Sequence, residues 1–143
     1  MPVHLFVYGT LLSGIPSSMS KFLRRRATLI GKATVPGTLY DLGLYPGYVT
    51  TGDGTVRGEL YRLNEENLDE TLEMLDAYES VTGAPEDEYV RAEVRAKVGD
   101  GGTFRAMTYA YTKDTDGKPV IPQGNYATFY PTSREHQRFV NGK

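Results

Sequence analysis

The chain has 143 residues, with 16 Lys and Arg against 18 Asp and Glu, and no cysteine. A formal charge of −2 argues against a nucleic-acid-binding surface, and the lack of cysteine excludes disulfides, thiolate metal sites and thiol nucleophiles. No apolar run is long enough for a signal peptide or a membrane span, so we expect a cytoplasmic protein with a single domain over residues 1–143.

The first predicted strand ends in an unusual way. Residues 3–8 form a near-continuous apolar run, typical of a strand buried on both faces, and Gly9 and Thr10 follow it directly. Glycine allows a ligand to approach the main chain closely, and consecutive free N–H groups at a strand end can bind an oxyanion or a carboxylate. An ordinary strand-to-loop turn would explain the same glycine, so the stretch alone does not distinguish a turn from a binding loop.

Several short elements are predicted next. A helix over residues 19–26 ends in three arginines, which suit a helix C-terminus. A strand is predicted over residues 38–42, followed by a turn with Pro46–Gly47 at its corner. Residues 55–63 alternate as a strand does, and Gly58 within them indicates a bulge or a close backbone approach.

The clearest helix is predicted over residues 67–79. Asn67 and Glu70 have the spacing of a capping box at its start. Residues 88–98 then alternate strictly and are joined through the turn sequence GDGG, residues 99–102, to a returning strand, which predicts a hairpin. Residues from about 131 form a polar tail that we expect to fray.

Glu79 interrupts the apolar stripe of the helix predicted over residues 67–79. Leu68, Leu72 and Leu75 lie at helical spacing, and the next position of the stripe carries Glu79 instead of an apolar residue. A carboxylate that faces a core costs several kcal/mol, by a rough estimate, unless it is paired or neutralised.

Three explanations for Glu79 are open. The helix ends just before it and the side chain reaches water, or it pairs with a buried arginine such as Arg57 or Arg91. Alternatively it lines a cavity, where desolvation prepares a carboxyl group for proton transfer.

No other catalytic constellation competes with Glu79. His4 and His136 stand alone and favour structural or exposed roles, and the acidic residues at 65–76 and 86–88 are typical of solvated faces. No nucleotide-binding, serine-hydrolase or metal-loop motif is present, so we expect no metal and no cofactor.

Taken together, these stretches resemble the gamma-glutamylcyclotransferase-like family, which includes gamma-glutamylamine cyclotransferases and plant AIG2-like (avirulence-induced-gene-2-like) proteins. The resemblance rests on six pieces in the family's order, from about Val3 to Phe129. They are VYGTL at 7–11, LYPGYV at 44–49, VRGELYRL at 56–63, LDAYESV at 75–81, YVRAEVRA at 89–96 and GNY at 124–126.

The resemblance implies an α+β fold, a small mixed β-barrel flanked by short helices. It implies that the backbone of Tyr8, Gly9, Thr10 and Leu11 cradles the gamma-glutamyl part of a small substrate and that Glu79 is the acid/base. It further implies that two tyrosines help to wall the pocket. These are Tyr89 and Tyr126.

The implied reaction needs no nucleophile from the protein. The α-amino group of the substrate attacks its own gamma-carbonyl, which gives 5-oxoproline and a free amine, and one carboxylate can move both protons. A non-catalytic small-ligand-binding protein on the same barrel is the alternative. A third hypothesis is an interaction module whose contact surface is made of exposed tyrosines. These are Tyr109, Tyr111, Tyr126 and Tyr130. The sequence defines neither the oligomeric state nor the leaving amine.

Overall fold

The chain folds around a closed five-stranded barrel in a computed structural model that describes residues 2–99 and 101–141. In chain order the strands are β1 (His4–Val7), β2 (Ala27–Pro36), β3 (Thr38–Asp41), β4 (Pro46–Val49), β5 (Thr55–Leu63), β6 (Tyr89–Lys97) and β7 (Thr103–Tyr111). The helices are α1 (Ser18–Arg26), α2 (Leu68–Tyr78), α3 (Tyr126–Phe129) and α4 (Arg134–Asn141).

The barrel has mixed strand pairing, as the resemblance implies. Its order is β1-β5-β2-β6-β7, and β3 and β4 form a separate hairpin. The closing contact is a parallel bridge between Leu5 of β1 and Met107 of β7, whereas the other pairs are antiparallel. None of the described helices is long and apolar enough to cross a membrane.

Strand β1 is buried on both faces, which confirms the prediction from its apolar run. Leu5, Phe6 and Val7 are almost completely buried, with β5 on one side and β7 on the other. Because β1 lies in the barrel wall, the loop that follows it begins at a fixed point at the barrel's end.

Gly58 marks a close backbone approach. A Cβ atom at this position would lie 2.0 Å from the carbonyl oxygen of Val7 and 2.8 Å from Cζ of Phe6. The register shift of the barrel lies elsewhere, between Leu29 and Gly31 of β2. Only glycine therefore lets β5 pack this closely against β1.

The turn predicted at Pro46–Gly47 is wrong. These two residues begin β4, and the turn spans Leu42–Tyr45, where the N–H of Leu42 donates to the carbonyl of Tyr45 over 3.0 Å. Gly43 supplies the positive φ of 108°, and its N–H donates to Oδ1 of Asp41 over 2.8 Å. Proline is tolerated as the first residue of a strand, so Pro46 starts β4 instead of turning the chain.

The capping box predicted for the start of α2 is also wrong. A turn of 3-10 helix, Glu65–Asn67, precedes α2 and gives Asn67 φ and ψ values of −133° and 29°, which are not those of an extended N-cap. Asn67 makes no cap hydrogen bond, and Glu70 instead pairs with Arg26 at 3.2 Å. Charge pairing to α1 and the buried Leu75 hold this helix in place.

The predicted hairpin of β6 and β7 is confirmed. Its register runs from Tyr89 opposite Tyr111 to Lys97 opposite Thr103. The N–H of Val98 donates to the carbonyl of Gly102 over 3.0 Å, which closes the turn. Residue 100 of the predicted turn lies outside the described residues.

The polar C-terminal segment differs from the expected fraying tail, because residues 134–141 form α4. Helix α4 is anchored by His136, which is completely buried. Its Nδ1 lies 2.8 Å from the hydroxyl of Tyr126, and its Nε2 lies 2.7 Å from Oδ1 of Asp41. Since Asp41 is 95 positions away in the chain, no local sequence pattern indicates this contact between His136 and Asp41.

Candidate active site

A cleft of about 290 Å³ lies at the end of β1. Five parts of the chain wall it: the end of β1 with the loop that follows, the start of β4 with the residue before it, the end of α2, the β6–β7 hairpin with the residue before it, and α4. Its lining includes Tyr8, Gly9, Thr10, Leu11, Tyr45, Pro46, Tyr78, Glu79, Glu88, Tyr89, Tyr109 and Phe139. The structure thus brings six of the seven residues implied by the resemblance to one cavity.

Tyr126 is the residue that the structure does not bring to the cleft. Its ring is completely buried, and its hydroxyl faces the imidazole of His136. Its position is fixed by the anchor of α4, so its surroundings are those of a core residue and not of a pocket wall.

The loop Tyr8–Leu11 and the residues that follow it are held by side-chain hydrogen bonds. Ser17 donates its hydroxyl to the carbonyl of Thr10 over 2.6 Å. Farther along, the N–H and hydroxyl of Ser13 each donate to Glu59 over 2.7 Å. Thr10 and Leu11 lie outside any helix or strand, so neither amide takes part in a helix or strand ladder. Both residues line the cleft, and backbone amides outside a ladder can bind an anionic group.

Gly9 is explained by packing against β4. A Cβ atom at Gly9 would lie 2.6 Å from Cγ of Pro46. The carbonyl of Pro46 also accepts the hydroxyl of Tyr89 over 2.7 Å, which holds the proline in place. The close approach of loop and strand thus sets the width of the cleft at this point.

Glu79 is the residue that ends α2. The helix stops at Tyr78, and the N–H of Glu79 still donates to the carbonyl of Leu75 over 3.0 Å. Ser80 then adopts a positive φ of 56° and turns the chain away. The helix thus ends just before Glu79, as the first explanation of this residue holds. Its half-buried side chain nevertheless lines the cleft, as the third explanation, a carboxyl group in a cavity, requires.

The two arginines considered as partners of Glu79 are placed elsewhere. Arg91 donates to both oxygens of Asp76 over 2.9 and 2.6 Å, and Arg57 lines a separate groove. Tyr109 also donates its hydroxyl to Asp76, over 2.7 Å. This network ties α2 to β6 and β7 one turn before Glu79, which fixes the direction of the helix end.

Five tyrosines surround Glu79 in the cleft. Burial is the first cause that raises the pKa of each phenol, and the charge of Glu79 adds to it in all five. They are Tyr8, Tyr45, Tyr78, Tyr89 and Tyr109. At neutral pH these phenols are uncharged donors, and each has a polar partner in the protein.

The raised phenol pKa values predict a loss of stability in alkali. Unfolded tyrosines ionise near about pH 10, whereas burial raises the pKa of Tyr45 and of Tyr48 to about 12. Because the unfolded state loses its protons first, the free energy of unfolding should hold steady below pH 10 and fall as pH rises from about 10 to about 12. Urea denaturation at a series of pH values measures this, and a free energy of unfolding that stays constant from about pH 10 to about pH 12 would contradict it.

Sequence reasoning does not find several residues of the cleft, among them Glu88, Phe139 and Tyr45. It places Glu88 on a solvated face and Phe139 in a polar tail, and it gives Tyr45 no role in the site. Tyr45 donates its hydroxyl to Oε1 of Glu88 over 2.8 Å, and its ring lies 5.2 Å from that of Phe139. The one indication in the sequence is that Glu88 directly precedes Tyr89, a predicted pocket residue.

A second groove, of about 920 Å³, is lined by residues of β2, β5 and the segment that begins at Asn125. Its one lining carboxylate among the described residues is Glu59, which already accepts both hydrogen bonds of Ser13. Across residues 2–99 and 101–141, no three His, Asp or Glu side chains converge as a metal site requires. The smaller cleft is therefore the candidate active site.

Comparison with known proteins gives matches over most of the chain. The family model described as gamma-glutamyl cyclotransferase, AIG2-like, matches residues 5–128. The chain is 34% identical over 113 residues to a gamma-L-glutamyl-butirosin B gamma-glutamyl cyclotransferase of Niallia circulans, which covers 78% of this chain and 68% of that protein. It is also 34% identical over 125 residues to the gamma-glutamylcyclotransferase family protein YtfP of Escherichia coli. This match covers 87% of this chain and 96% of that protein.

Solved structures share the fold. An uncharacterized protein from Pyrococcus horikoshii superposes with a TM-score of 0.67 at 25% identity, over 94% of this chain and 98% of that one. Residues 5–128, which the family model matches, include the loop after β1 and the end of α2.

Proposed function

Because this chain belongs to the gamma-glutamyl cyclotransferase, AIG2-like family, we propose that it converts a gamma-glutamyl amide into 5-oxoproline and a free amine. One observation carries the proposal: the carboxylate of Glu79 and the backbone of Tyr8–Leu11 line the same cleft. The relative from Niallia circulans is a gamma-L-glutamyl-butirosin B gamma-glutamyl cyclotransferase, which supports a gamma-glutamyl compound as the substrate class.

The reaction transfers the acyl group within the substrate. Glu79 takes a proton from the α-ammonium group, and the amine so formed attacks the gamma-carbonyl carbon and closes a five-membered ring. Protonated Glu79 gives its proton to the leaving nitrogen as the carbon–nitrogen bond breaks. The ring nitrogen loses its second proton to the released amine, which departs as an ammonium ion. Atoms and charge balance without a cofactor, since the substrate supplies both the nucleophile and the leaving group.

The loop after β1 is assigned to the developing oxyanion. Backbone N–H groups of Gly9, Thr10 and Leu11 would donate to the gamma-carbonyl oxygen as it gains charge, which is worth roughly 3–4 kcal/mol for each well-placed donor. The Tyr89 ring would hold the bent substrate against the loop, which supplies proximity. Tyr126 has no contact with substrate in this scheme, because its hydroxyl faces His136.

The test is release of 5-oxoproline from a panel of gamma-glutamyl compounds. The panel holds gamma-glutamyl amino acids, the ε-linked gamma-glutamyl-lysine and simple gamma-glutamyl amines. We expect turnover of at least one compound with release of its amine in equal amount. A folded protein that releases no 5-oxoproline from any of them would favour the alternative, a non-catalytic binding protein on the same barrel.

The interaction-module hypothesis is not supported by the positions of its tyrosines. It requires an exposed aromatic surface, but Tyr109 and Tyr126 are buried and Tyr111 and Tyr130 are only partly exposed. The buried phenols instead serve the cleft and the anchor of α4.

A further inference from the structure

The second groove carries an excess of positive charge that the proposed reaction does not use. Its charged lining residues are Lys32, Arg57 and Lys97, against the single carboxylate of Glu59. Across residues 2–99 and 101–141, none of the three cations forms an ion pair. A groove lined mainly by charge of one sign concentrates ligands of the opposite sign, so the ligand to consider here is an anion.

Glu59 does not neutralise the cation that lies nearest to it in the sheet. The register of β2 and β5 places Lys32 directly opposite Glu59, where a cross-strand ion pair would be expected. Instead, the two carboxylate oxygens of Glu59 accept the N–H and the hydroxyl of Ser13, each over 2.7 Å. The carboxylate is therefore engaged by the segment after β1, and the positive charge of the groove is left for a ligand.

Four polar residues form one row across the groove, which we call the cationic row: Asn125, Arg57, Thr34 and Lys97. Thr34 is paired with Arg57 on one side and with Lys97 on the other, and Arg57 is bridged to Asn125. Residues paired in this way lie about 5 Å apart and share one face of a sheet. That face is turned away from the core, because a buried residue directly precedes each of the three strand members.

The donors of the cationic row suit a phosphate group. A guanidinium can donate two parallel hydrogen bonds to a phosphate, and an ammonium, a hydroxyl and an amide each add further donors. None of the four side chains is hydrogen-bonded to another described residue, so all of them remain available. The two cations of the row match the double negative charge of a phosphomonoester, whereas a carboxylate would bring one charge and two acceptor oxygens.

The groove also offers apolar surface for an organic group. Its volume of about 920 Å³ lies within the range of small-molecule sites, and its lining includes Leu12, Ile15, Ala127, Tyr130 and Pro131. We propose that the second groove binds an organic phosphate, with the phosphate on the cationic row and an apolar or aromatic group against these side chains. No residue lines both cavities, so this inference does not depend on the proposed function of the cleft.

Titration calorimetry of the full chain with three anions tests the proposal. The probes are phenyl phosphate, inorganic phosphate and benzoate, which carry both groups, the phosphate alone, and the ring with a carboxylate. We expect phenyl phosphate to bind with a Kd at least about tenfold lower than that of either other probe. Equal affinity for phenyl phosphate and inorganic phosphate, equal affinity for phenyl phosphate and benzoate, or no saturable binding by the folded wild type would each overturn the proposal.

Charge-removing variants locate the site. Arg57→Gln and Lys97→Gln alter exposed side chains and should each raise the Kd for phenyl phosphate at least about tenfold, with circular dichroism unchanged. The matched control is Arg95→Gln, which removes the same charge from the strand of Lys97 but lies outside the groove, and its Kd should change less than about twofold. An unchanged Kd in both groove variants, or an equal loss in Arg95→Gln, would overturn the site. Since binding is the readout, its outcome is independent of 5-oxoproline release.

Discussion

Replacing Glu79 by Gln should abolish 5-oxoproline release and leave the fold intact. Glutamine has nearly the same shape but cannot take the proton of the α-amino group or return one to the leaving nitrogen. Because general acid–base catalysis contributes about 10²–10⁴-fold, we expect kcat to fall by at least about a hundredfold. The measurement is 5-oxoproline release by purified wild type and variant, with circular dichroism and thermal unfolding as checks on the fold.

The matched control for this variant is Glu73→Gln. Glu73 lies on the same helix, is exposed and does not line the cleft, so its loss should change kcat less than about twofold. A Glu79→Gln protein that keeps more than about a tenth of wild-type activity would place the base at another residue.

Replacing Gly9 by Val should block substrate binding. Even a single Cβ at this position would meet Cγ of Pro46 at 2.6 Å, and the two methyl groups of valine add further bulk. Since Pro46 is held by Tyr89, the loop has to move instead, and a displacement of about 1 Å at a catalytic position can cost roughly a hundredfold in rate. We expect kcat/KM to fall by about that factor, through both KM and kcat.

The glycines of the loop supply a sharp control. Gly14 has no atom within 4 Å of an added Cβ, so Gly14→Ala should behave as the wild type. Gly9→Ala should be impaired, and Pro46→Ala in the same chain removes Cγ and should restore part of the activity, as a double-mutant cycle would show. Undiminished kcat/KM in Gly9→Val would remove the loop after β1 from the proposed site.

The elements that follow from local pattern could be predicted from the sequence. The apolar run gives β1, the alternation of residues 55–63 gives β5 with the same bounds, and the strict alternation with a glycine-rich turn gives the β6–β7 hairpin. The predictions that failed at Pro46 and Asn67 concern places where a competing local structure forms. Pro46 starts a strand because Gly43 and Asp41 already form the turn, and Asn67 is not a cap because a 3-10 turn precedes it.

The candidate site was predictable in part for the same reason. Glu79 could be singled out because a carboxylate breaks a stripe of leucines, and Gly9 because it follows a buried strand. Glu88 and Phe139 could not, since each carries an ordinary local pattern and joins the cleft only through folding. Tyr126 ends up beside His136 because the helix that carries His136 returns to the barrel, which the polar sequence of that helix does not indicate.

The walls of the cleft come from widely separated parts of the chain. Tyr8 donates to the carbonyl of Tyr109 across 101 positions, and Thr10 meets Tyr78 across 68. Contacts of such high sequence separation require the closure of long loops, which is slow. The entropy lost on loop closure is offset by contact energy only when the barrel closes. A partly folded chain that contains only local helices and hairpins therefore holds no rudimentary version of the cleft, and catalytic competence arises with the last long-range contacts of folding.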